Sequence, residues 1–188
     1  MIYFTSDLHL GHASILKHRS GFNDIDEMNA RIIESINSIV TPADTLYMLG
    51  DITCRVAEDE ANSLISRING KKIMLTGNHD GEYDPSLFED VEDYIELKHN
   101  RRKYVLMHYP LVCWNKMKEG SIQLHGHIHS RSDYNEYNHE QGRLQYDVGV
   151  DANGFLPVSI DQIEKWASSC NWEEYAGIEH HKANKIIL

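Results

Sequence analysis

Three observations predict an α/β fold. Six short apolar runs, rich in β-forming residues and bounded by turn residues, read as buried strands over 2–5, 45–49, 72–76, 104–107, 122–124 and 144–150. Two stretches of helical periodicity separate the first three runs. The order strand, helix, strand, helix, strand is that of crossover units, which build parallel sheets.

The first helix spans 26–39, where Met28, Ile32, Ile33, Ile36 and Ile39 recur at helical spacing and Asp24 or Asp26 supplies a cap. The second spans 57–68, with Gly70 as its stop. A third begins near Ser159: the Ser159 and Gln162 pair has capping-box spacing, with Ile163 and Trp166 facing inward. A short run at 157–160 adds an edge strand, and the later half reads as richer in hairpins. The chain of 188 residues suits a single domain over 1–188. Its tail, 168–188, has Trp172 and Tyr175 to pack on the domain, an apolar end at 186–188, and the surface pair His180-His181.

Composition narrows the function. Hydrophobic residues at 41% provide a core, and charged residues at 25% are ordinary for a globular chain. A net charge of −11 argues against long nucleic acid as a partner, because phosphate backbones are repelled. The one compact basic cluster, Arg101-Arg102-Lys103, is explained by a hairpin turn. Cys54, Cys113 and Cys170 are odd in number and form no CxxC pair, so reduced buried thiols are expected rather than disulfides or a thiolate zinc site. No run approaches ~18 apolar residues, so no membrane span is expected, and a cytoplasmic location is the default.

Histidine is the unusual residue. Five polar clusters each follow a predicted strand: Asp7-Leu8-His9, Gly50-Asp51, Gly77-Asn78-His79-Asp80, His108, and Gly126-His127-Ile128-His129. In α/β sheets, ligands gather at the carboxyl ends of strands. Imidazole with carboxylate suits divalent ions such as Mn²⁺, Fe²⁺ and Zn²⁺. Strand alternation would aim Asp7 with His9, and His127 with His129, to common sides. The glycines at 50, 77 and 126 permit tight turns and close backbone approach. Each cluster alone is weak, but the ordered set of five is not.

This set resembles the calcineurin-like metallophosphoesterase superfamily, whose pattern is DxH, GD, GNH(D/E), H and GHxH. The flanking Ser6-Asp7-Leu8-His9-Leu10-Gly11-His12 and His108-Tyr109-Pro110 segments resemble its small bacterial and phage subgroup. The resemblance implies a β-sandwich flanked by helices, a four-layer α/β/β/α arrangement, with two divalent ions at one edge, Mn²⁺ first, then Fe, Ni or Zn. It implies that Asp7, His9 and His129 hold one ion, that Asn78, His108 and His127 hold the other, and that Asp51 bridges them. A metal-bridging hydroxide, formed because the ions lower the pKa of water toward ~7, would attack phosphorus. His79 would protonate the leaving oxygen, and Asp80 would orient His79. Asn78, His79 and His12 are the expected substrate contacts. His125 reads as a support behind the ligands or as structural, Asp151 as a partner of a ligand histidine or a turn residue, and Trp114 and Asn115 as pocket-lining or core.

The expected activity is hydrolysis of a small phosphorylated substrate, a phosphomonoester or phosphodiester of modest size. The competing readings are a nuclease on short nucleic acids, a non-catalytic metal-binding scaffold, and a single structural zinc site.

Overall fold

The computed structural model describes residues 1–174; Tyr175, His180, His181 and the apolar end at 186–188 lie outside the described residues. Among the described residues, nine strands form two sheets. In the first, β1 (Ile2–Thr5), β2 (Thr45–Met48), β3 (Lys71–Leu75) and β4 (Asp90–Glu92) run parallel in the order β4-β3-β2-β1. The crossovers are α1 (Ile25–Asn37) and α2 (Glu58–Ser66). The second sheet has the order β5 (Tyr94–His99), β6 (Arg102–Met107), β7 (Ile122–His125) and β8 (Gln145–Asp147). Helix α3 (Tyr134–Glu140) precedes β8, and β9 (Val158–Ser159) joins the edge of the first sheet antiparallel to β1 before α4 (Ile160–Ser168) closes the described chain.

Strand alternation divides the apolar side chains between two cores. Leu46, Met48 and Met74 face α1 and α2, where Met28, Ile32, Ile33, Ile36, Leu64 and Ile65 are buried. Phe4, Tyr47, Leu49 and Leu75 face the second sheet and meet Tyr104, Val105, Leu106, Ile122 and Leu124, with Ile160, Ile163 and Ala167 of α4. The result is two sheets packed face to face and flanked by helices. The outer side of the second sheet is sealed by polar bonds: Gln123 donates to the Tyr109 carbonyl, Gln145 to Leu111, and Asn138 of α3 to Gln145.

The helix ends follow the sequence. The Asp24 side chain accepts from Glu27 N, and Ser159 with Gln162 forms a reciprocal capping box. Trp172 packs partly buried against the inter-sheet core. The strands β4 and β5 and the helix α3 were not expected. In β5 only Ile95 and Leu97 carry the apolar face, between Tyr94, Glu96, Lys98 and His99, and α3 is polar throughout. The expectation of hairpins holds only for β5–β6, whose turn places Asn100 and Arg101 at φ 46° and 66°. The β6–β7 and β7–β8 pairs are parallel, and β7 is buried on both faces as parallel strands are. All three cysteines are free, but Cys113 is exposed rather than buried.

The α4 cap and its core contact should be separable by urea denaturation. Ser159→Ala is expected to cost about 1 kcal/mol, whereas Ile163→Ala, emptying a fully buried site, should cost about 2–5 kcal/mol.

Candidate metal centre

The carboxyl ends of β1, β2 and β3 in one sheet and of β6 and β7 in the other open onto the same edge. Past β1 and β2 the pairing continues as a zipper, with Asp7 N donating to Gly50 O, His9 N to Asp51 O, and Leu10 N to Ile52 O. Asp7 and His9 thus reach the edge together while Leu8 enters the core. Backbone packs closely here, both between the two sheets and between the β2 and β3 loops. A Cβ on Gly126 would lie 2.0 Å from Ser6 Oγ and 2.3 Å from Asp7 Oδ2, and one on Gly77 would lie 2.2 Å from Asp51 Oδ1. Gly50 has φ +87°, with His108 Nδ1 2.6 Å from where its Cβ would stand. Side chains at these positions would push the edge apart.

The donors form a chain. His129 Nε2 is 3.1 Å from His9 Nε2, which is 3.5 Å from Asp51 Oδ2. Asp51 Oδ2 is 3.6 Å from His108 Nε2, which is 3.1 Å from Asn78 Oδ1. Asp7 lies within reach of both ends: its donor oxygens cluster with His9 and His129, and with Asp51 and His108. The His127 ring is 5.0 Å from that of His108. The structure therefore brings together all seven expected ligands, with Asp51 in the middle.

Their backbone is unusual. Asp7, His9, Asp51, His127 and His129 have φ of 58°, 50°, 56°, 73° and 45°. The expected strand alternation is not what aims the two pairs, because each member sits in left-handed backbone beyond its strand. Such a conformation costs a non-glycine residue roughly 1–2 kcal/mol, and it persists where surrounding bonds over-determine it. Those bonds are present. Both oxygens of Asp7 accept from His127 N, at 3.1 and 2.9 Å. Asp51 Oδ1 accepts from His79 N at 2.8 Å.

Asp80 corrects an expectation. Its carboxylate does not reach His79; it accepts from the backbone N–H groups of Asp51, Ile52 and Gly77, at 2.7–2.8 Å. These donors lie past the ladder ends and need an acceptor, so Asp80 fixes the loops that carry Asp51 and Asn78. Arg19 gave no sequence signal. Its guanidinium is buried and donates to the carbonyls of Asp7 (2.6 Å) and Leu8 (2.9 Å) and to both oxygens of Asp151 (2.9 and 2.7 Å). Asp151 in turn accepts from His129 Nδ1 at 2.7 Å. This is the expected partner of a ligand histidine, leaving Nε2 free for an ion. Asp147, also unanticipated, is fully buried and accepts from Ser130 and Gly149.

His12 lies beside His9, their Nδ1 atoms 3.3 Å apart. It lines a cavity of about 760 Å³ with His79 and His129. His79 is exposed, its ring 5.5 Å from that of His9. His125 is buried and bonded to Gly126 O, a structural role. Trp114 is core and donates to Ser121 O, and Asn115 donates to Glu96; neither lines this cavity.

The charges fit divalent ions. Asp7, Asp51 and Asp147 are at most 1% exposed, and no lysine or arginine pairs with them among the described residues. Buried charge without a partner is costly. Burial pushes the Asp7 carboxyl up to about 7, and a divalent ion beside it would favour its ionised form. Burial, with the charges of His129 and Arg19, pushes His9 down to about 3, leaving a neutral imidazole with a lone pair to give. Burial also lowers His127, whereas the Asp151 hydrogen bond raises His129. Burial works to raise Asp151, but the hydrogen bonds from His129 and Arg19 outweigh it and hold the carboxyl down at about 2.

The sequence profile of calcineurin-like phosphoesterases matches residues 1–168. The chain is 32% identical over 168 residues to an uncharacterized protein of Methanocaldococcus jannaschii, covering 87% of this chain and 89% of that one. It is 30% identical over 203 residues to the gene 66 protein of Mycobacterium phage L5, covering 92% and 96%. Among solved structures it is similar to a protein of unknown function from Aquifex aeolicus, with a TM-score of 0.68 at 26% identity over 88% of this chain and 98% of that one.

Two measurements test the Arg19 anchor. Arg19→Met leaves Asp151 and two buried carbonyls without their donor, and should cost about 2–4 kcal/mol in urea denaturation together with bound metal in equilibrium dialysis. Unchanged metal content would remove Arg19 from the support of the site. The depressed Asp151 pKa gives a pH signature. Its stabilisation is complete above the unfolded value of ~3.9 and is lost as pH falls toward about 2. The stability gap between the native chain and Asp151→Asn should shrink across that window; a constant gap would show that Asp151 is not ionically held.

Proposed function

Because this chain belongs to the calcineurin-like phosphoesterase family, whose members hydrolyse phosphate esters with divalent metals, we propose that it hydrolyses a phosphomonoester or phosphodiester of modest size at a dinuclear centre. The observation that carries this reading is the burial of Asp7 and Asp51 against imidazoles, with no lysine or arginine paired to them among the described residues. Asp7, His9 and His129 would hold one ion, and Asn78, His108 and His127 the other, with Asp51 shared. The mixture of imidazole, carboxylate and amide donors suits Mn²⁺ first, with Fe, Ni or Zn as alternatives. Bound there, two such ions would supply positive charge to the phosphate oxygens and lower the pKa of water.

The protein's own groups do the rest. His79 is the exposed imidazole at the mouth, and its backbone N–H is fixed by Asp51. From there it gives a proton to the leaving oxygen. Arg19, through Asp151, holds the His129 ring with Nε2 presented. Asp80 holds the β2 and β3 loops so that Asp51 and Asn78 keep their separation. The net charge of −11 favours a small substrate over long nucleic acid. No helix among the described residues is long and apolar enough to cross a membrane.

Hydrolysis of p-nitrophenyl phosphate and bis(p-nitrophenyl) phosphate with added Mn²⁺ tests the proposal. His79→Ala should lose roughly 10²–10⁴-fold in kcat with metal content retained, whereas Asp51→Asn should lose metal as well. No turnover of either ester with Mn, Fe, Ni or Zn would leave a non-catalytic metal-binding scaffold.

A further inference from the structure

The cavity beside the metal centre is much larger than one phosphate group needs. Its volume, about 760 Å³, is in the range of sites that enclose whole small molecules, roughly 300–1,000 Å³. One wall carries His9, His79 and His129 of the centre. The lining also includes the segment that continues the last motif, Ser130, Arg131 and Ser132, with His18 at the end of the helical turn Ala13–Lys17 and the apolar Ile15.

The charges of this lining are not alike. Arg19 belongs to the lining but is spent on Asp151 and on two carbonyls. Asp151, the acidic group of the wall, is spent on Arg19 and His129. The Ser130 hydroxyl is committed to Asp147. Arg131 is different: it is exposed, and its guanidinium makes no hydrogen bond or ion pair among the described residues. Ser132 beside it is likewise without a hydrogen-bond partner among them. Asp133 is the next residue, but it does not line the cavity. In a chain with net charge −11, an uncommitted arginine and hydroxyl on a cavity wall next to a phosphate-binding centre are a place for an anion. A guanidinium is suited to phosphate or carboxylate through paired N–H donors.

We infer that the substrate is a nucleotide-sized phosphate ester bearing a second anionic group, and that Arg131, with Ser132 and His18, binds this group while the scissile phosphate sits at the metal centre. This rests on the phosphoesterase reading above, and the test separates the two. Arg131 is then a specificity residue rather than a catalytic one.

Two ester substrates give the kinetic arm. Bis(p-nitrophenyl) phosphate has one anionic group; the 5′-p-nitrophenyl ester of a nucleoside 3′,5′-bisphosphate has two. The native enzyme with Mn²⁺ should favour the second in kcat/KM, and Arg131→Gln should reduce that preference about tenfold through KM, with Arg131→Lys restoring part of it. The binding arm needs no turnover. Calorimetry on Mn²⁺-loaded His79→Ala should find adenosine 3′,5′-bisphosphate about tenfold tighter than AMP, with the difference lost when Arg131→Gln is added. Hydrolysis of both esters without any Arg131-dependent preference overturns the subsite and leaves the hydrolase standing. An Arg131-dependent preference in binding without hydrolysis of any ester supports the subsite and overturns the hydrolase. Equal binding of the two nucleotides overturns the subsite whatever the kinetics.

Discussion

Three carboxylates, on Asp7, Asp51 and Asp147, lie out of water where the carboxyl edges of two sheets meet, and among the described residues only histidines, no lysine or arginine, stand against Asp7 and Asp51. A folded chain carries such an arrangement only where positive charge arrives from elsewhere or where the carboxyls take up protons. Much else at this edge follows. His9 and His127 are held toward the neutral form by burial and by neighbouring charges, the form that donates a lone pair. The buried guanidinium of Arg19 serves Asp151 and the carbonyls of Asp7 and Leu8 rather than the carboxylates of the centre. The negative interior is thereby left for cations.

Holding that edge requires backbone that the residues resist. Five of the seven converging donors stand in the left-handed region, and their strain is offset by hydrogen bonds that serve little else. Asp80 gathers three N–H groups from the β2 and β3 loops. Asp7 receives the His127 N–H across the seam between the sheets. Arg19 closes the first loop from outside. The stability of the two cores, one against α1 and α2 and one between the sheets, underwrites this local strain. The glycines at 50 and 126 allow the sheets to approach to distances that a Cβ would forbid, and Gly77 does the same between the β2 and β3 loops.

The centre is also one-sided. His79, His12 and the cavity lie toward His9 and His129, while Tyr109 packs its ring 4.6 Å from that of His127 on the other flank. A substrate approaching the exposed His79 therefore has room on the first side, where the proposed anion subsite lies.

Much of this was legible in the residues alone. Short apolar runs located six strands, helical periodicity located α1 and α2, and the Ser159 and Gln162 spacing located the start of α4. Polar clusters after strands marked the candidate donors, because a strand end is a local property of sequence, and the family resemblance singled out seven of them. What stayed hidden was long-range or multivalent. β5 and α3 have too few apolar residues to show a period. Arg19 and Asp80 have several hydrogen-bonding positions each, and nothing in their neighbours says which distant backbone groups will need them. Sequence thus determined which atoms are available to a metal and at which strand ends they stand. The packing of two sheets face to face, with their carboxyl ends on one side, decided that His9 meets His129 across 120 residues, that left-handed turns rather than strand alternation aim them, and that Asp80 supports the backbone instead of His79, since only a folded chain has unpaired N–H groups in fixed places to be satisfied.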